Sequence, residues 1–340
     1  MNSRELLLAN VRGEKTARVP IWIMRQAGRY MPEYRRLREK HSFEQLCRTP
    51  DLAAEVTAQP IDSFGFDAAI IFSDILYILE PLGINLKYDP GPIIEPLLER
   101  PEQADRFTAY DPEKELAFVG EALVKTRERI GDKIALLGFC GAPFTLLCYL
   151  CGSSGANGFA RAVAFLIKHP EAGRRLLSLL ADLSCAYLKM QFKAGADLVQ
   201  VFDTWAGELS AGEFALWSYP YLDSIIDRLK TDGYPCSLYI RNAYHLLDKM
   251  ASLKADVVSL DWKTPLDYAA DRLRPSALQG NLNPAVMLGP GAEVARQAET
   301  IMVSMKNYAG YIFNLGHGIL PETPVDNVTK LVRTVHEFKR

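Results

Sequence analysis

Along the chain, short apolar runs alternate with longer stretches of helical spacing. Eight apolar runs begin near residues 20, 68, 134, 197, 236, 256, 277 and 311. Helical spacing follows over 32–40, 50–63, 112–130, 158–194 with a break near Pro170, 210–231, 244–254, 265–273, 291–306 and from about Pro324. In the 50–63 segment, Ala53, Val56 and Ala58 fall on one buried face. A strand covered on both sides reads as a continuous apolar run, and repeated strand–helix alternation predicts parallel strands wrapped by helices. Eight such units predict an α/β fold, a closed TIM-type (β/α)8 barrel, with residues 1–340 as one domain. An open doubly wound sheet is the alternative, but no run leads into a Gly-x-Gly-x-x-Gly or Walker loop. Residues 81–97, rich in Pro and Gly, predict an excursion such as a hairpin or lid.

With 340 residues, 49% of them apolar, the chain can bury a large core. A formal net charge of −2 lacks the basic surplus expected of a nucleic-acid binder. Charges run throughout Met1 to Arg18, so no signal peptide is expected there. Residues 134–160 carry no charge, but six glycines and prolines between Gly138 and Gly158 fit strand, loop and helix better than a membrane span. The chain therefore reads as soluble. Six scattered cysteines fit a reducing compartment, and Cys148-x-x-Cys151 in an apolar run reads as core packing before metal or redox chemistry. The whole points to the cytoplasm.

One local charge cluster changes the picture. Directly after Ile21-Trp22-Ile23 come Arg25 and Arg29, then Arg35, Arg36 and Arg38, opposed only by Glu33. Guanidinium forks suit carboxylates or phosphates, so the stretch predicts a grip on a multiply anionic small molecule; a solvated helix start is the plainer reading. In a barrel, chemistry gathers at the carboxyl ends of the strands. Those positions hold Arg25 and Arg29, Asp74, Phe139, Asp203-Thr204, Arg241, Asp261, Asn281 and His317. Asp74 also suits a helix cap, and Asp261 and Asn281 suit turns. His317 stands between Gly316 and Gly318, which are expected to let the backbone bend and expose the ring. His/Cys metal spacing, a nucleophile elbow and a strand-end lysine are all absent from the sequence. The set suits a reaction in which the substrate supplies reactivity and the protein supplies orientation and charge.

These residues also form strings. Residues 20–30 (PIWIMRQAGRY), 70–76 (IIFSDIL), 138–146 (GFCGAPFTL), 279–284 (QGNLNP) and 314–319 (NLGHGI) closely resemble the uroporphyrinogen decarboxylase family, in order, with likeness from about residue 5 to 338. The resemblance implies a distorted β/α barrel, usually a homodimer, acting as a lyase in haem and tetrapyrrole synthesis. It implies decarboxylation of the four acetates of uroporphyrinogen III to coproporphyrinogen III, with no metal or organic cofactor. It further implies that Arg25, Arg29 and His317 meet substrate carboxylates, with Gln26, Ala27 and Gly28 of the same string at the substrate and Arg38 as a further grip. Asp74 would face the pyrrole N–H groups, Tyr149 and Thr204 a reacting acetate, and Phe139 the macrocycle. Asp74 and Arg25 are the expected catalytic groups. Thr204, Asn283 and Arg241 depart from the family's usual Ser, Asp and Lys. Two rivals are a barrel-sharing corrinoid or thiol methyltransferase, whose His-x-Cys zinc motif is not found here, and a non-catalytic tetrapyrrole carrier.

Overall fold

Neighbouring residues in each apolar run face opposite sides, and the structure covers both. The computed structural model describes residues 1–89, 91–152 and 155–340, with 155–157 as backbone only. Nine strands occur among them: β1 (Ala68–Ile70), β2 (Asn85–Tyr88), β3 (Pro92–Glu95), β4 (Ala135–Gly141), β5 (Leu198–Phe202), β6 (Cys236–Tyr239), β7 (Val257–Ser259), β8 (Ala277–Leu282) and β9 (Tyr311–Leu315). Seven form one parallel sheet in the order β1-β4-β5-β6-β7-β8-β9. Its two edges meet through residues 20–24. Ile21 bridges in parallel to Phe313, the Phe313 N–H donates to Pro20 O (2.9 Å), and the Asp67 N–H donates to Ile21 O (2.9 Å). The expected first strand is thus a single bridge that closes a curled sheet.

Parity divides the core. Trp22, Met24, Ala135, Leu137, Leu198, Val257 and Ile312 join one small cluster with Leu7 and Val11 of the first helix, Ser3–Val11. Their chain neighbours Ile21, Ile23, Leu136, Val199, Val258 and Phe313 join the large cluster against the outer helices. This two-residue alternation separates barrel interior from helix-facing shell. Trp22, Leu137 and Ile312 fill the interior together with small side chains and the hydrogen-bonded Gln279, Gln200 and Ser259, so the bottom of the barrel is a packed plug.

A repeated polar device holds the bottom. Asp67, Asp197 and Asp256 each stand one residue before a strand, respectively β1, β5 and β7. Each carboxylate accepts a backbone N–H from the preceding strand around the barrel: Ile21 (2.9 Å), Leu136 (2.8 Å) and Cys236 (2.9 Å). Asp67 also accepts two bonds from Arg18 (2.8 and 2.6 Å) and one from Ser3 (2.6 Å). Asp197 is held between Arg4 (2.7 Å) and Arg127 (2.6 Å). At β9, where Gly310 occupies the corresponding place, Asn10 takes the Tyr311 N–H (3.2 Å).

At the top, β1 and β4 part. The Ile71 N–H still reaches Leu137 O (2.9 Å), but beyond it the Gln191 side chain pairs with the backbone of Phe139 (2.7 and 2.9 Å). Gly138 admits this insertion, since a Cβ there would lie 2.2 Å from Gln191 Oε1. The amide of helix Pro170–Lys193 thereby replaces a strand in the gap, which spreads the barrel mouth.

Proline accounts for two of the helix breaks. The 158–194 stretch breaks where expected, into Gly155–Lys168 and Pro170–Lys193. The expected 210–231 helix is two, Ala211–Trp217 and Tyr219–Thr231, because Pro220 in the first turn lacks an N–H to continue the earlier one. The 112–130 helix is interrupted at Leu116. The 81–97 excursion contains the antiparallel β2–β3 hairpin, though Pro90 at its tip lies outside the described residues, as do Ser153 and Ser154 of the uncharged 134–160 stretch. Cys148 and Cys151 are buried on helix Pro143–Gly152, and burial pushes both thiols up, Cys151 to about 12. Such thiols pack as small apolar groups. Among the described residues no helix is long and apolar enough to cross a membrane.

Burial alone would push the Asp67 carboxyl up, but bonds from Arg18, His336 and Ser3 and the Arg18 charge outweigh it and hold it at about 2. A depressed carboxyl stabilises the fold above its unfolded value and loses that contribution as pH falls toward 2. The expected contribution at neutral pH is about 2 kcal/mol. Asp67→Asn should lower the unfolding free energy by about 3 kcal/mol through the orphaned Arg18. Urea unfolding at a series of pH values should show the wild-type acid slope between about pH 4 and 2 flattened in the variant.

Candidate active site

The segment that closes the barrel turns sharply at its mouth. Arg25 has φ +62°, a left-handed conformation uncommon outside glycine. Neighbours on every side hold it there. Asn314 accepts the Met24 N–H (3.0 Å), and the Ile319 N–H donates to Met24 O (3.0 Å). The Gln26 amide accepts from the Ile23 N–H (3.2 Å) and donates to Ala68 O (3.0 Å). Tyr30 donates to Gln26 O (2.6 Å), and Arg35 donates to Arg29 O (3.0 Å) and Tyr30 O (3.1 Å). Gln26 is fully buried, so its side chain braces the turn and is turned away from the cleft. Arg35, read as helix surface, is a second brace.

The loop after β9 shapes the Arg25 side chain. A Cβ on Gly318 would lie 2.5 Å from Arg25 Cδ, and one on Gly316 would lie 2.5 Å from Trp262 N. Neither glycine has a positive φ. They provide room for neighbours, where the sequence had suggested backbone bending. The exposed Arg25 is close enough to His317, Asp74, Tyr149 and Tyr239 to shift all four electrostatically.

Asp74 is half-buried, and its Oδ1 accepts the Leu76 N–H (2.9 Å) at the start of the turn Tyr77–Leu82. The capping alternative is therefore realised at one oxygen. Burial pushes its carboxyl up, opposed by the Leu76 N–H, the Tyr88 hydroxyl and the Arg25 charge. Tyr149, half-buried on helix Pro143–Gly152, is pushed up by burial and by Asp74, with Arg25 and Trp205 opposing.

Aromatic rings cross the mouth in a line. Phe139 and Phe202 meet edge to face at 5.8 Å, Phe202 and Tyr239 at 5.9 Å, and Tyr239 lies nearly parallel to His317 at 6.0 Å. His317 is half-buried, and desolvation, Arg25 and Arg241 lower it to about 4, so the ring is neutral at pH 7. Arg241 stacks on Trp205 (5.1 Å) and lies 3.6 Å from Glu208. Thr204 is half-buried beside Trp205. Its neighbour Asp203 is turned fully inward. Thr145 (2.7 Å) and Ser218 (2.5 Å) donate to Asp203, and Thr145 in turn accepts the Trp205 N–H (3.2 Å). Burial raises the Asp203 carboxyl to about 6, against the hydrogen bonds from Ser218 and Thr145. Asp203 thus links the helix bearing Tyr149 to the loop bearing Thr204.

Other strand-end polar residues follow their structural readings. Asp261 accepts the N–H groups of Asn242 and Lys263, and Asn281 donates to the carbonyls of Asp261 (2.8 Å) and Thr264 (2.7 Å). Asn283 caps the turn Pro284–Leu288 through the Ala285 N–H (3.0 Å), a task an Asp would serve equally. Ala27 and Gly28 are half-buried on the Arg25 turn, and Arg29 and Arg38 are exposed farther out. Both cations act on Tyr34, which packs at 5.6 Å on Phe72, two residues before Asp74. Tyr239 and Asn314 escaped the sequence reading. Each looks like an ordinary strand residue, and only their inward position at a strand end would have marked them.

A half-buried carboxyl, guanidiniums, hydroxyls and aromatic rings gathered at one mouth suit a β/α-barrel enzyme. The family model for uroporphyrinogen decarboxylase (URO-D) matches residues 2–338. Relatives of that name include one from Syntrophotalea carbinolica, 42% identical over 96% of this chain and 95% of its own. Another, from Carboxydothermus hydrogenoformans, is 39% identical over 98% and 96%. The chain belongs to the uroporphyrinogen decarboxylase family, the carboxy-lyases of tetrapyrrole biosynthesis. Among solved structures, a methyltransferase from Methanosarcina mazei superposes with TM-score 0.83 at 20% identity over 99% of both chains, which shows a shared fold. Among the described residues no group of three or more His, Cys, Asp or Glu is placed to hold a metal ion.

Gly318→Ala tests the packing of Arg25. The new methyl meets only a flexible stem, so the unfolding midpoint should hold while Arg25 is displaced by about 1 Å. Steady-state assays should show kcat/KM lowered about 100-fold.

Proposed function

We propose that residues 1–340 work as one barrel domain that removes the four acetate carboxyls of uroporphyrinogen III to give coproporphyrinogen III, without a metal or organic cofactor. The observation that carries this reading is a half-buried carboxyl, Asp74, in the field of Arg25 at a barrel mouth where Arg25 and Arg241 also bear on His317. An octacarboxylate needs cations at its rim, and a tetrapyrrole needs an acceptor at its centre for inward-pointing N–H groups. Arg25, Arg29 and His317 would meet substrate carboxylates, with Arg38 farther out. Ala27 and Gly28 would offer backbone contact, and Phe139 an apolar wall. Tyr149 and Thr204 would lie near the reacting acetate. Arg241 replaces the lysine usual in the family and keeps the positive charge, while stacking on Trp205 holds its fork in one orientation.

Each turn of the reaction consumes one proton and releases one carbon dioxide, leaving a methyl group. Proton addition to the electron-rich pyrrole makes a cationic sink. The bonding pair of the departing carboxyl then flows into the ring; a proton adds to the exocyclic carbon and the proton first added to the ring leaves, which restores the pyrrole with a net uptake of one. Arg25 and Asp74 are the charged groups suited to assist. A guanidinium yields a proton far less readily than a carboxyl pushed up by burial, which favours Asp74. Once ionised, Asp74 would stand as counter-ion to the cation it helped create.

Six buried thiols support a reducing compartment such as the cytoplasm. The resemblance supports a homodimer, and light scattering giving the monomer mass of 38.0 kDa would remove that assignment. Incubation with uroporphyrinogen III under anaerobic conditions should release four carbon dioxide molecules per substrate; well-folded protein giving none would refute the reading. Asp74→Asn should keep the fold and lose about 100- to 1,000-fold in kcat, a barrier rise of about 3 to 4 kcal/mol. Near-normal turnover in that variant would move the catalytic role elsewhere.

A further inference from the structure

Tyr239 ends β6 fully buried, and its hydroxyl has two partners. Gly316 O lies 2.9 Å away and His317 Nδ1 lies 3.0 Å away. A phenol carries one proton and a carbonyl oxygen can only accept, so that proton goes to Gly316. The second contact is then a hydrogen bond only if His317 Nδ1 is the donor. With Nδ1 protonated, a neutral imidazole leaves Nε2 as a bare lone pair. The near-parallel stack of the two rings, 12° apart, fixes the plane in which that lone pair points. A bare nitrogen repels a carboxylate. In the substrate-free protein His317 is therefore in the wrong state for the contact it is given above.

We infer that Tyr239 is a positioning residue that locks His317 in the Nδ1–H tautomer, so that His317 grips a substrate carboxylate only by taking up a proton at Nε2 as substrate binds. The second half rests on the proposed function; the tautomer lock does not. The charged and titratable groups acting on this pair are Arg25 and Arg241, which bear on both rings, and Asp261, which bears on Tyr239. Substrate carboxylates that pair with the two arginines cancel the positive field opposing an imidazolium and add a negative one. Proton uptake follows from that exchange. The chain from Nδ1–H to the Tyr239 hydroxyl to Gly316 O is unchanged by it, because Nδ1 is a donor in both states and only Nε2 changes. Affinity for a polycarboxylate should thus rise as pH falls through neutrality, while a neutral ester of the same macrocycle would bring no proton with it.

Long-range proton–nitrogen NMR on substrate-free protein with labelled histidine tests the lock. The His317 signals, identified by their loss in His317→Gln, should show a protonated Nδ1 and a bare Nε2 at pH 7. Tyr239→Phe keeps the ring and removes the acceptor, and should mix or invert that pattern. A protonated Nε2 in the wild type overturns the lock, as does an unchanged pattern in folded Tyr239→Phe. Calorimetric titration with uroporphyrin III, a non-reacting octacarboxylate, in two buffers of different ionisation heat tests the coupling. Net proton uptake is expected in the wild type, with a smaller value in Tyr239→Phe, whose Nε2–H donates without titrating. Uptake that persists unchanged in His317→Gln overturns the coupling. A porphyrin that fails to bind overturns the coupling, while turnover of uroporphyrinogen III tests the functional reading separately, and the NMR result in substrate-free protein separates both from failure of the lock.

Discussion

The Asp67 carboxylate is the joint on which the barrel closes. It receives the Ile21 N–H, the Arg18 fork and Ser3, while its own backbone N–H donates to Ile21 O. Residues 20–24 make only one bridge to β9, too little pairing to hold a strand by ladder bonds alone. A buried, ion-paired carboxylate supplies the rest of the attachment. Acceptance of a neighbouring strand's N–H recurs at Asp197, which is also ion-paired, and at Asp256, so alternate seams of the barrel are fastened at the bottom by side chains. The top is left to open.

That opening carries the residues of the proposed site. Because the closing segment ends as a strand at one residue, its chain turns immediately and projects Arg25 over the mouth. Asn314, Gln26 and Arg35 hold the turn, and Gly318 gives the Arg25 stem its seat. Strain at a left-handed arginine persists only where surroundings over-determine it, and here they do. On the far edge of the adjacent strand β1, the Gln191 amide holds β4 where the two strands part, at the place where Asp74 and Phe139 emerge. Closure at one end and splaying at the other are two parts of one design.

Electrostatically the mouth is set for an anion before any arrives. Arg25 and Arg241 suppress a charge on His317, and burial works against a charge on Asp74. The resting site therefore keeps its permanent cations, while its surroundings disfavour charge on both titratable groups. The carboxylates of the proposed polyanionic substrate would favour a charged histidine and its N–H groups a charged aspartate, so that protonation states would answer to substrate.

Continuous apolar runs and their spacing were enough to show eight barrel positions, and the arginine-rich string with the strings around Asp74 and His317 was enough to show the family. Those features are local: a covered strand must be apolar, and a guanidinium is charged in any context. Where a side chain ends up is not local. Gln26 and Asp203 sit beside site residues in the string yet turn into the core, because unpaired backbone and hydroxyl groups there require partners. Gly316 and Gly318 look like flexible joints, but close packing of Trp262 and Arg25 is what they serve. Tyr239, apolar by its place in a strand, acquires a role only because a chain segment 77 residues later brings Gly316 and His317 to its hydroxyl. Periodicity and charge are written along the chain; which atoms share a proton depends on distances that only folding creates.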